Sequence, residues 1–283
     1  MKDVDFLVIG SNGLLGSNIV KILKKRNINF LTVARKNSNF NINLKNFKKL
    51  NKFFSKNKCK IVINCAAIID INYCEKKYSI ASIINCKLVK FLSQMSKKFD
   101  FKFVQISTDH VYKGKNAVFN SETSEIFPIN KYAKSKILAE KHLKELKKFL
   151  IIRTNFTGKK KNSFIDWLIR NFKKKAEINL FNDMYTSTMD VQTCAEIIIK
   201  LAMLKSKGIY NLGSRNMITK ESFAKKLSKI LKIKIKYKSI SSDIQQVPRG
   251  KNLGLDVKKI EKKIGYKMPT SNQSIINLVK EYQ

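Results

Sequence analysis

Short apolar runs alternate along the first half of the chain with stretches whose apolar residues recur at helical spacing. Strand-like runs lie at 5–10, 29–34, 60–67, 101–107 and 150–153, with helical or amphipathic patterns at 14–25, 47–55, 74–98 and 131–148. The runs FLVI, KIVIN, FKFVQI and FLIIR are continuously apolar and rich in β-branched residues, which is typical of strands covered on both faces. Strands that alternate with helices build a parallel sheet. We therefore expect an α/β fold with a doubly wound parallel sheet.

The pattern becomes less regular after Arg153. Short strands are predicted at 177–181 and 209–212, and helices at 191–205 and 220–231. No Gly/Ser linker interrupts the chain, so the sequence indicates no hinge between separately folding domains. We expect residues 1–153 to form the main domain, with some later segments returning to it. Residues 154–283 should form mainly a smaller, interleaved substrate-binding part.

The chain is strongly basic, with 58 Lys and Arg against 20 Asp and Glu and a net charge of +38. Arginine accounts for six of the basic residues, and Asn and Ile are abundant, which is typical of AT-rich coding sequence. Drift in base composition is therefore the favoured cause of the high positive charge. The alternatives are binding of anionic substrates, of nucleic acid or of a membrane surface. Aromatic-interleaved basic stripes and zinc-finger spacings are absent, so we expect no nucleic-acid partner.

The chain has no apolar run long enough for a membrane helix, which needs about 18 residues or more. The first apolar segment, 6–9, ends in a glycine loop and not in a signal-peptide cleavage site. We expect a cytoplasmic protein without membrane insertion. The five cysteines show no metal-ligand spacing with the two histidines, so we expect reduced, mostly buried thiols and no metal. The oligomeric state stays open, a homodimer included.

A glycine-rich segment follows the first predicted strand and opens the first helix. It reads GSNGLLG and comprises Gly10, Ser11, Asn12, Gly13, Leu14, Leu15 and Gly16. Glycine permits the tight turn and lets the backbone approach a pyrophosphate, whose charge then lies at the positive end of the helix. In this context the segment predicts a dinucleotide loop of a Rossmann sheet.

The end of the second strand bears on the choice of cofactor. Arg35 and Lys36 stand there, where an NAD-preferring site places a carboxylate for the ribose 2′-OH. A guanidinium can instead hold a 2′-phosphate with two hydrogen bonds. We therefore expect NADPH as the cofactor, with NADH less favoured, and interpret the main domain as NADP-binding.

A tyrosine and a lysine stand four positions apart at the start of a predicted helix, as Tyr132 and Lys136 in YAKSK. This spacing puts the phenol and the ammonium on one face, where the positive charge can stabilise a phenolate. The spacing alone also fits an exposed helix face. Upstream, Thr108 follows a buried strand and so lies at a carboxyl edge, where open α/β sheets place ligands.

The glycine loop, the hydroxyl segment and the Y-x-x-x-K motif occur in the order and spacing of extended short-chain dehydrogenases/reductases. The chain resembles the dTDP-4-dehydrorhamnose reductase branch of that family over nearly its whole length. The segments that carry the resemblance are GSNGLLG at 10, INCAAIID at 63, STDHVY at 107, INKYAKSKILAEK at 129, IIRTNFTG at 151, FNDMYTST at 181, YNLGS at 210 and VPRGKNLGLD at 247.

The resemblance implies roles for individual residues. A catalytic triad would consist of Thr108, Tyr132 and Lys136, of which the last two also contact the cofactor. The cofactor would further be lined by Asn41, Asn64, Ala66 and Ala67. The substrate would be contacted by Asp109, His110, Val111, Asn155 and Arg249, and Arg249 would meet the diphosphate of a sugar nucleotide. The implied activity is NADPH-dependent reduction of a 4-keto sugar nucleotide, for synthesis of surface-polysaccharide precursors.

The chain departs from the family pattern at several positions. Asn41 replaces an aspartate that contacts adenine, STDHVY replaces STDYVF, Phe156 replaces a tryptophan, and Ser187 replaces the proline of a Pro-Thr pair. We expect the last three of these departures to lie on the substrate side, so they leave the identity of the sugar open. Two other functions stay open as well, namely other sugar-nucleotide epimerase or dehydratase chemistry and a non-catalytic, sugar-nucleotide-binding subunit.

Overall fold

The structure is a computed structural model that describes residues 2–114, 119–161 and 163–282. Its strands are β1 (Lys2–Ile9), β2 (Phe30–Ala34), β3 (Phe40–Asn41), β4 (Asn57–Asn64), β5 (Lys102–Ile106), β6 (Phe149–Thr154), β7 (Phe156–Thr157), β8 (Glu177–Phe181), β9 (Tyr185–Thr186), β10 (Met189–Asp190), β11 (Gly208–Leu212), β12 (Ile218–Thr219), β13 (Lys236–Ile240) and β14 (Asn252–Leu253). Its helices are α1 (Leu14–Lys25), α2 (Phe47–Lys56), α3 (Ile71–Lys76), α4 (Tyr78–Ser82), α5 (Leu88–Phe99), α6 (Lys131–Lys141), α7 (Phe164–Lys173), α8 (Val191–Met203), α9 (Lys220–Leu231), α10 (Lys258–Ile264) and α11 (Ser271–Lys280).

Seven strands form one parallel sheet in the order β11-β6-β5-β4-β1-β2-β3. Apolar residues on one face of the sheet pack against α1 and α8, and those on the other face pack against α2 and α5. Burial on both faces explains why the strand sequences are continuously apolar. The predicted doubly wound Rossmann sheet is confirmed, and its strand order reverses between β1 and β4.

The remaining elements form smaller layers beside the main sheet. The parallel pair β8 and β13 and the helices α7, α9 and α11 share a separate apolar cluster. A three-stranded sheet has the order β12-β9-β14, and β7 pairs with β10. Two late elements, β11 and α8, belong to the main sheet and its helical layer. The division of the chain near Arg153 into two functional parts stays a prediction.

Two predicted helices differ from those in the structure. The stretch 74–98 is not continuous, because α3 and α4 are followed by a π-helical turn at Ile83–Lys87 before α5 begins. This turn carries the buried Asn85, whose carboxamide bonds both backbone groups of Ile68. The helix predicted at 131–148 ends at Lys141, although Leu143 and Leu146 beyond it remain buried. Among the described residues no helix is long and apolar enough to cross a bilayer.

Arg153 and Glu140 form a buried ion pair. Arg153 on β6 and Glu140 on α6 are both 2% exposed, with 2.7 Å between Nη2 and Oε2. Glu140 Oε1 also accepts from Ser107 Oγ at 2.6 Å. Arg153 Nη1 donates to Tyr112 Oη at 3.0 Å, and Tyr112 donates to Asn211 Oδ1 at 2.7 Å. The network therefore joins α6 to the ends of β5, β6 and β11.

Replacement of Glu140 by alanine should leave the Arg153 charge buried without its carboxylate. Removal of one partner from a buried pair costs about 3–5 kcal/mol, so we expect a loss of that size in the free energy of unfolding, measured by urea denaturation. The matched control is Glu145→Ala, which removes the partner of Lys97 in an exposed pair and should leave the midpoint nearly unchanged. Equal losses in the two variants would contradict the assigned role of burial.

Candidate active site

The glycine loop lies at the carboxyl end of β1, at the point where the strand order reverses. Gly10 has φ +78°, a region that L side chains rarely adopt. A Cβ at Gly10 would lie 2.8 Å from the backbone nitrogen of Ala66, and one at Gly16 would lie 2.3 Å from the Gly10 carbonyl oxygen. Glycine is therefore required for the close approach of β1, α1 and the segment after β4. Open α/β sheets bind ligands in this crevice.

The start of α1 has the features of an anion site. Gly13 is the N-cap and offers no side chain to the first amides of this 12-residue helix. The hydroxyl of Ser11 is buried and has no hydrogen-bond partner among the described residues. The Asn12 side chain donates to the Lys36 carbonyl, and Lys160 donates to the Asn12 carbonyl. Free amides and an orphan hydroxyl at a helix N-terminus suit a pyrophosphate.

The segment after β2 carries the predicted cofactor-specificity residues. Arg35 is exposed and follows the last residue of β2 directly. Asn41, at the end of β3, accepts from the backbone nitrogen of Ser38 at 3.3 Å and from its hydroxyl at 3.1 Å. The Asn41 carboxamide thus helps to close the turn beside Arg35. Contacts of both side chains with a cofactor stay predictions.

The residues predicted at the end of β4 have different roles in the fold. Asn64 is fully buried, donates to Gln105 Oε1 at 2.8 Å and accepts from the Ala66 backbone nitrogen at 3.2 Å. Its side chain therefore shapes the loop from within. Ala66 and Ala67 are half-buried in that loop, beside the glycine segment. Ala66 lies against Gly10 of the glycine loop, and contacts of the three residues with a cofactor stay predictions.

The structure brings the three predicted catalytic residues to the carboxyl edge of the sheet. Thr108 follows β5, and Tyr132 and Lys136 lie one turn apart on α6, with all three side chains buried. Tyr132 is hydrogen-bonded to Thr108, but burial has the larger effect and raises the tyrosine pKa well above its ordinary value. Lys136 Nζ donates to the Ile106 carbonyl at 2.7 Å. Burial lowers the pKa of Lys136 to about 8, although Glu140 opposes that shift.

A chain of hydrogen bonds runs from Thr108 away from the glycine loop. The Thr108 hydroxyl donates to Asp109 Oδ1 at 3.0 Å, and Asp109 Oδ2 accepts from Asn155 Nδ2 at 2.7 Å. Asn155 Oδ1 in turn accepts from Thr188 Oγ1 at 2.8 Å. Asp109 and Asn155, both predicted substrate contacts, thus also fix the threonine. Their direct contact with a substrate stays a prediction.

The charges of His110, Arg249 and Lys220 influence one another near Tyr132. The rings of His110 and Tyr132 are in edge contact, with centroids 5.9 Å apart. Arg249 is half-buried, and its Nε has no partner among the described residues. Sequence reasoning missed Lys220, whose charge interacts with Asp109 and Arg249. The only sequence signal was its position in the first turn of a predicted helix, where a cation is unfavourable.

Side-chain burial changes the interpretation of three residues. Val111 was predicted to contact the substrate, but its side chain is fully buried in the main core and unavailable to a ligand. Leu15 also packs in that core, so only its backbone can serve a cofactor. Tyr112 was expected on the substrate side, whereas it is fully buried and bonded to Arg153 and Asn211. Among the described residues, no cluster of His, Cys, Asp and Glu could hold a metal.

A dinucleotide loop at a sheet switch point, beside buried Thr, Tyr and Lys side chains, defines a Rossmann-fold oxidoreductase of the extended short-chain dehydrogenase/reductase type. The chain belongs to the RmlD substrate binding domain family, which it matches over residues 4–283. The family resemblance predicted from the sequence motifs is thereby confirmed.

The chain is similar to named reductases and to a solved reductase structure. The chain is 23% identical to a probable low-salt glycan biosynthesis reductase of Haloferax volcanii, over 96% of each protein. It is 27% identical to the dTDP-4-dehydrorhamnose reductase of Salmonella typhimurium, over 58% of this chain and 57% of that enzyme. The crystal structure of dTDP-4-dehydrorhamnose reductase from Bacillus anthracis in complex with NADP superimposes with a TM-score of 0.91 at 26% identity, over 99% of this chain and 100% of that one.

The close contact at Gly16 predicts a reversed mutational effect. Alanine in place of glycine ordinarily stabilises a helix by about 0.5–1 kcal/mol. Gly16→Ala should instead lower the free energy of unfolding by about 1–3 kcal/mol, because the new Cβ meets the Gly10 carbonyl and the loop must shift. Urea denaturation measures the change. Ser17→Ala, at the next position of α1, should be nearly neutral, and an increase in stability for Gly16→Ala would refute the close approach.

Proposed function

We propose that the protein reduces a 4-keto sugar nucleotide with NADPH, in the manner of a dTDP-4-dehydrorhamnose reductase, and so supplies a precursor of surface polysaccharide. One observation carries the proposal. The hydroxyls of Thr108 and Tyr132 and the ammonium of Lys136 converge at the carboxyl edge of the sheet, next to a glycine loop built for a dinucleotide. The NADP complex of the Bacillus anthracis enzyme supports the choice of cofactor.

The residues at the crevice fit NADPH. The free amides at the start of α1 and the orphan hydroxyl of Ser11 would hold the pyrophosphate, and Arg35 would hold the 2′-phosphate. Lys136 would hold the nicotinamide ribose. The bound cofactor supplies hydride to the carbonyl carbon of the sugar.

Side chains of the protein supply the proton that the reduced carbonyl oxygen needs. As the carbonyl is reduced, negative charge develops on its oxygen, which must then be protonated. Tyr132 donates this proton, since a tyrosine phenol is protonated at neutral pH and burial raises the pKa of Tyr132 further. The ammonium of Lys136 stabilises the phenolate that is left. Thr108 turns its hydroxyl from Asp109 to the substrate oxygen and supports the developing charge.

The arrangement around Asp109 argues against dehydratase chemistry. A dehydratase needs an acid and a base directly after the threonine, whereas both Asp109 oxygens are engaged by Thr108 and Asn155. The next residue is His110 and not a second carboxylate. All three residues of the predicted triad, Thr108, Tyr132 and Lys136, are present, which disfavours a non-catalytic subunit. A cytoplasmic location stays a prediction.

The triad should give three distinguishable variants. Tyr132→Phe removes the transferable proton, so turnover should fall by about 10²-fold to 10⁴-fold while NADPH binds normally. Lys136→Met should reduce both turnover and NADPH affinity, because a charge and a ribose contact are lost together. Thr108→Ala should reduce turnover by about 10-fold to 10³-fold. The measurement is single-turnover oxidation of NADPH with a panel of nucleoside-diphosphate 4-keto sugars.

Matched variants separate these roles from general damage. Lys134→Met removes an exposed lysine two positions from Lys136 on the same helix, and Tyr266→Phe removes an exposed phenol outside the site. Both should react like the wild type. Wild-type turnover in Tyr132→Phe would refute the triad. Failure of the wild-type protein to oxidise NADPH with any of the sugars would refute the proposed reduction itself.

The position of Arg35 predicts the cofactor preference. The wild type should bind NADPH more tightly than NADH, and Arg35→Asp should lose about 10-fold to 150-fold in NADPH affinity and little in NADH affinity. Fluorescence titration with both cofactors measures this. Arg26→Asp makes the same charge change at the far end of α1, about 18 Å along the helix, and should keep the preference. Equal affinities of the wild type for NADPH and NADH would contradict the role of Arg35.

A further inference from the structure

The three-stranded sheet brings two distant basic residues to the same end. Thr219, the last residue of β12, and Asn252, the first of β14, both pair with Tyr185, the first residue of β9. Lys220 directly follows Thr219, and Arg249 lies three positions before Asn252. The backbone nitrogen of Lys220 bonds the Met184 carbonyl at 3.2 Å, just before β9 begins. The register thus places Lys220 and Arg249 at the same end of this sheet, on either side of β9.

This pair of cations is poorly neutralised. None of the ion pairs found among the described residues includes Lys220 or Arg249, and the Lys220 ammonium lies 4.7 Å from the centre of the Phe164 ring. Asp109 is the carboxylate whose charge acts on Lys220, yet both its oxygens already accept from Thr108 and Asn155. Asp70 is the carboxylate whose charge acts on Arg249. Each cation thus lies near one carboxylate, but neither forms an ion pair with it among the described residues.

Buried nitrogen atoms without a hydrogen-bond partner and side chains with shifted pKa values occur together near these two cations. Arg249 Nε and His110 Nδ1 are buried atoms without a partner in the described part of the chain. Burial lowers the pKa of Lys220 to about 8, Asp109 opposes that shift, and Arg249 adds to it. Burial also lowers the pKa of His110, with Arg249 and Lys220 contributing and Asp109 opposing. Buried polar groups ordinarily find partners, so these features call for an anion.

We propose that Lys220 is a second phosphate ligand, which together with Arg249 clamps the diphosphate of the sugar nucleotide and makes a diphosphate strongly preferred over a monophosphate. The inference rests on the proposed function. Arg249 offers a planar fork to one phosphate, and Lys220 offers a point charge to the other. His110 contacts the Tyr132 ring and is influenced by the charges of both cations, so the clamp is near the phenol. Anchoring of the diphosphate there would position the sugar carbonyl at the phenol.

Calorimetry with unreactive nucleotides tests the clamp without any chemistry. The ligands are dTDP, UDP and the corresponding monophosphates, and the proteins are wild type, Lys220→Met and Lys226→Met, each saturated with NADP. Methionine keeps an apolar stem over the Phe164 ring and removes the charge. Lys226 is an exposed lysine on the same helix and serves as the matched control.

The wild type and Lys226→Met should bind the diphosphate at least 10-fold more tightly than the monophosphate. Lys220→Met should lose most of this preference, with a loss of 10-fold or more for the diphosphate and little for the monophosphate. At pH 8.5 the wild type should also take up a fraction of a proton on diphosphate binding, measured in two buffers of different ionisation enthalpy. The anion draws a proton onto Lys220, so Lys220→Met should show no such uptake.

Other results would overturn the inference. Unchanged affinities in Lys220→Met would show that the lysine is not a ligand, and equal losses for mono- and diphosphate would assign it to another part of the nucleotide. Each would leave the reductase proposal intact if the wild type binds the diphosphate. Failure of the wild type to bind either diphosphate, with NADP bound, would refute sugar-nucleotide recognition itself and the clamp with it.

Discussion

Arg153 and Glu140 are charged groups held out of water inside the main domain, and the geometry of the reactive groups depends on their pairing. Two buried charges are tolerable only if each is paired and its remaining hydrogen-bonding positions are filled. The Glu140 carboxylate accepts hydrogen bonds from Ser107, the residue before Thr108, and from the Arg153 guanidinium. The pair thereby fixes α6, which carries Tyr132, relative to the end of β5, which carries the threonine.

The same pair influences the ionisation of the site. Tyr132, Lys136 and Glu140 follow one another at four-residue intervals and so lie along one face of α6. Glu140 favours the charged form of Lys136, while burial disfavours it, and the lysine pKa of about 8 reflects the balance. Because Arg153 already neutralises Glu140, the carboxylate cannot restore the ordinary pKa of Lys136. The position of one arginine on β6 thus bears on both the geometry and the charge of the reactive group.

Local patterns predicted the parallel sheet and the segments that carry the candidate site, whereas the contacts that the sequence did not reveal are long-range. The glycine loop and the helix with Tyr132 and Lys136 depend on spacing within a few residues, which the sequence displays directly. The burial of Tyr112 depends on Asn211, about a hundred positions away, and no local signal reports that contact. Lys220 reaches the site through a sheet of two-residue strands, which are too short to produce any periodicity.

The distinction between local and long-range information also applies to the charge of +38. Most lysines are exposed, so their individual contacts are screened by salt and contribute little. Together they can attract anionic cofactors and substrates from a distance, whatever caused their accumulation. Selective binding needs cations that are shielded from water and form no ion pair within the protein, as the half-buried Lys220 and Arg249 do among the described residues. The composition gives only the number of lysines, whereas the fold determines which of them form no ion pair within the protein and can bind an anionic ligand.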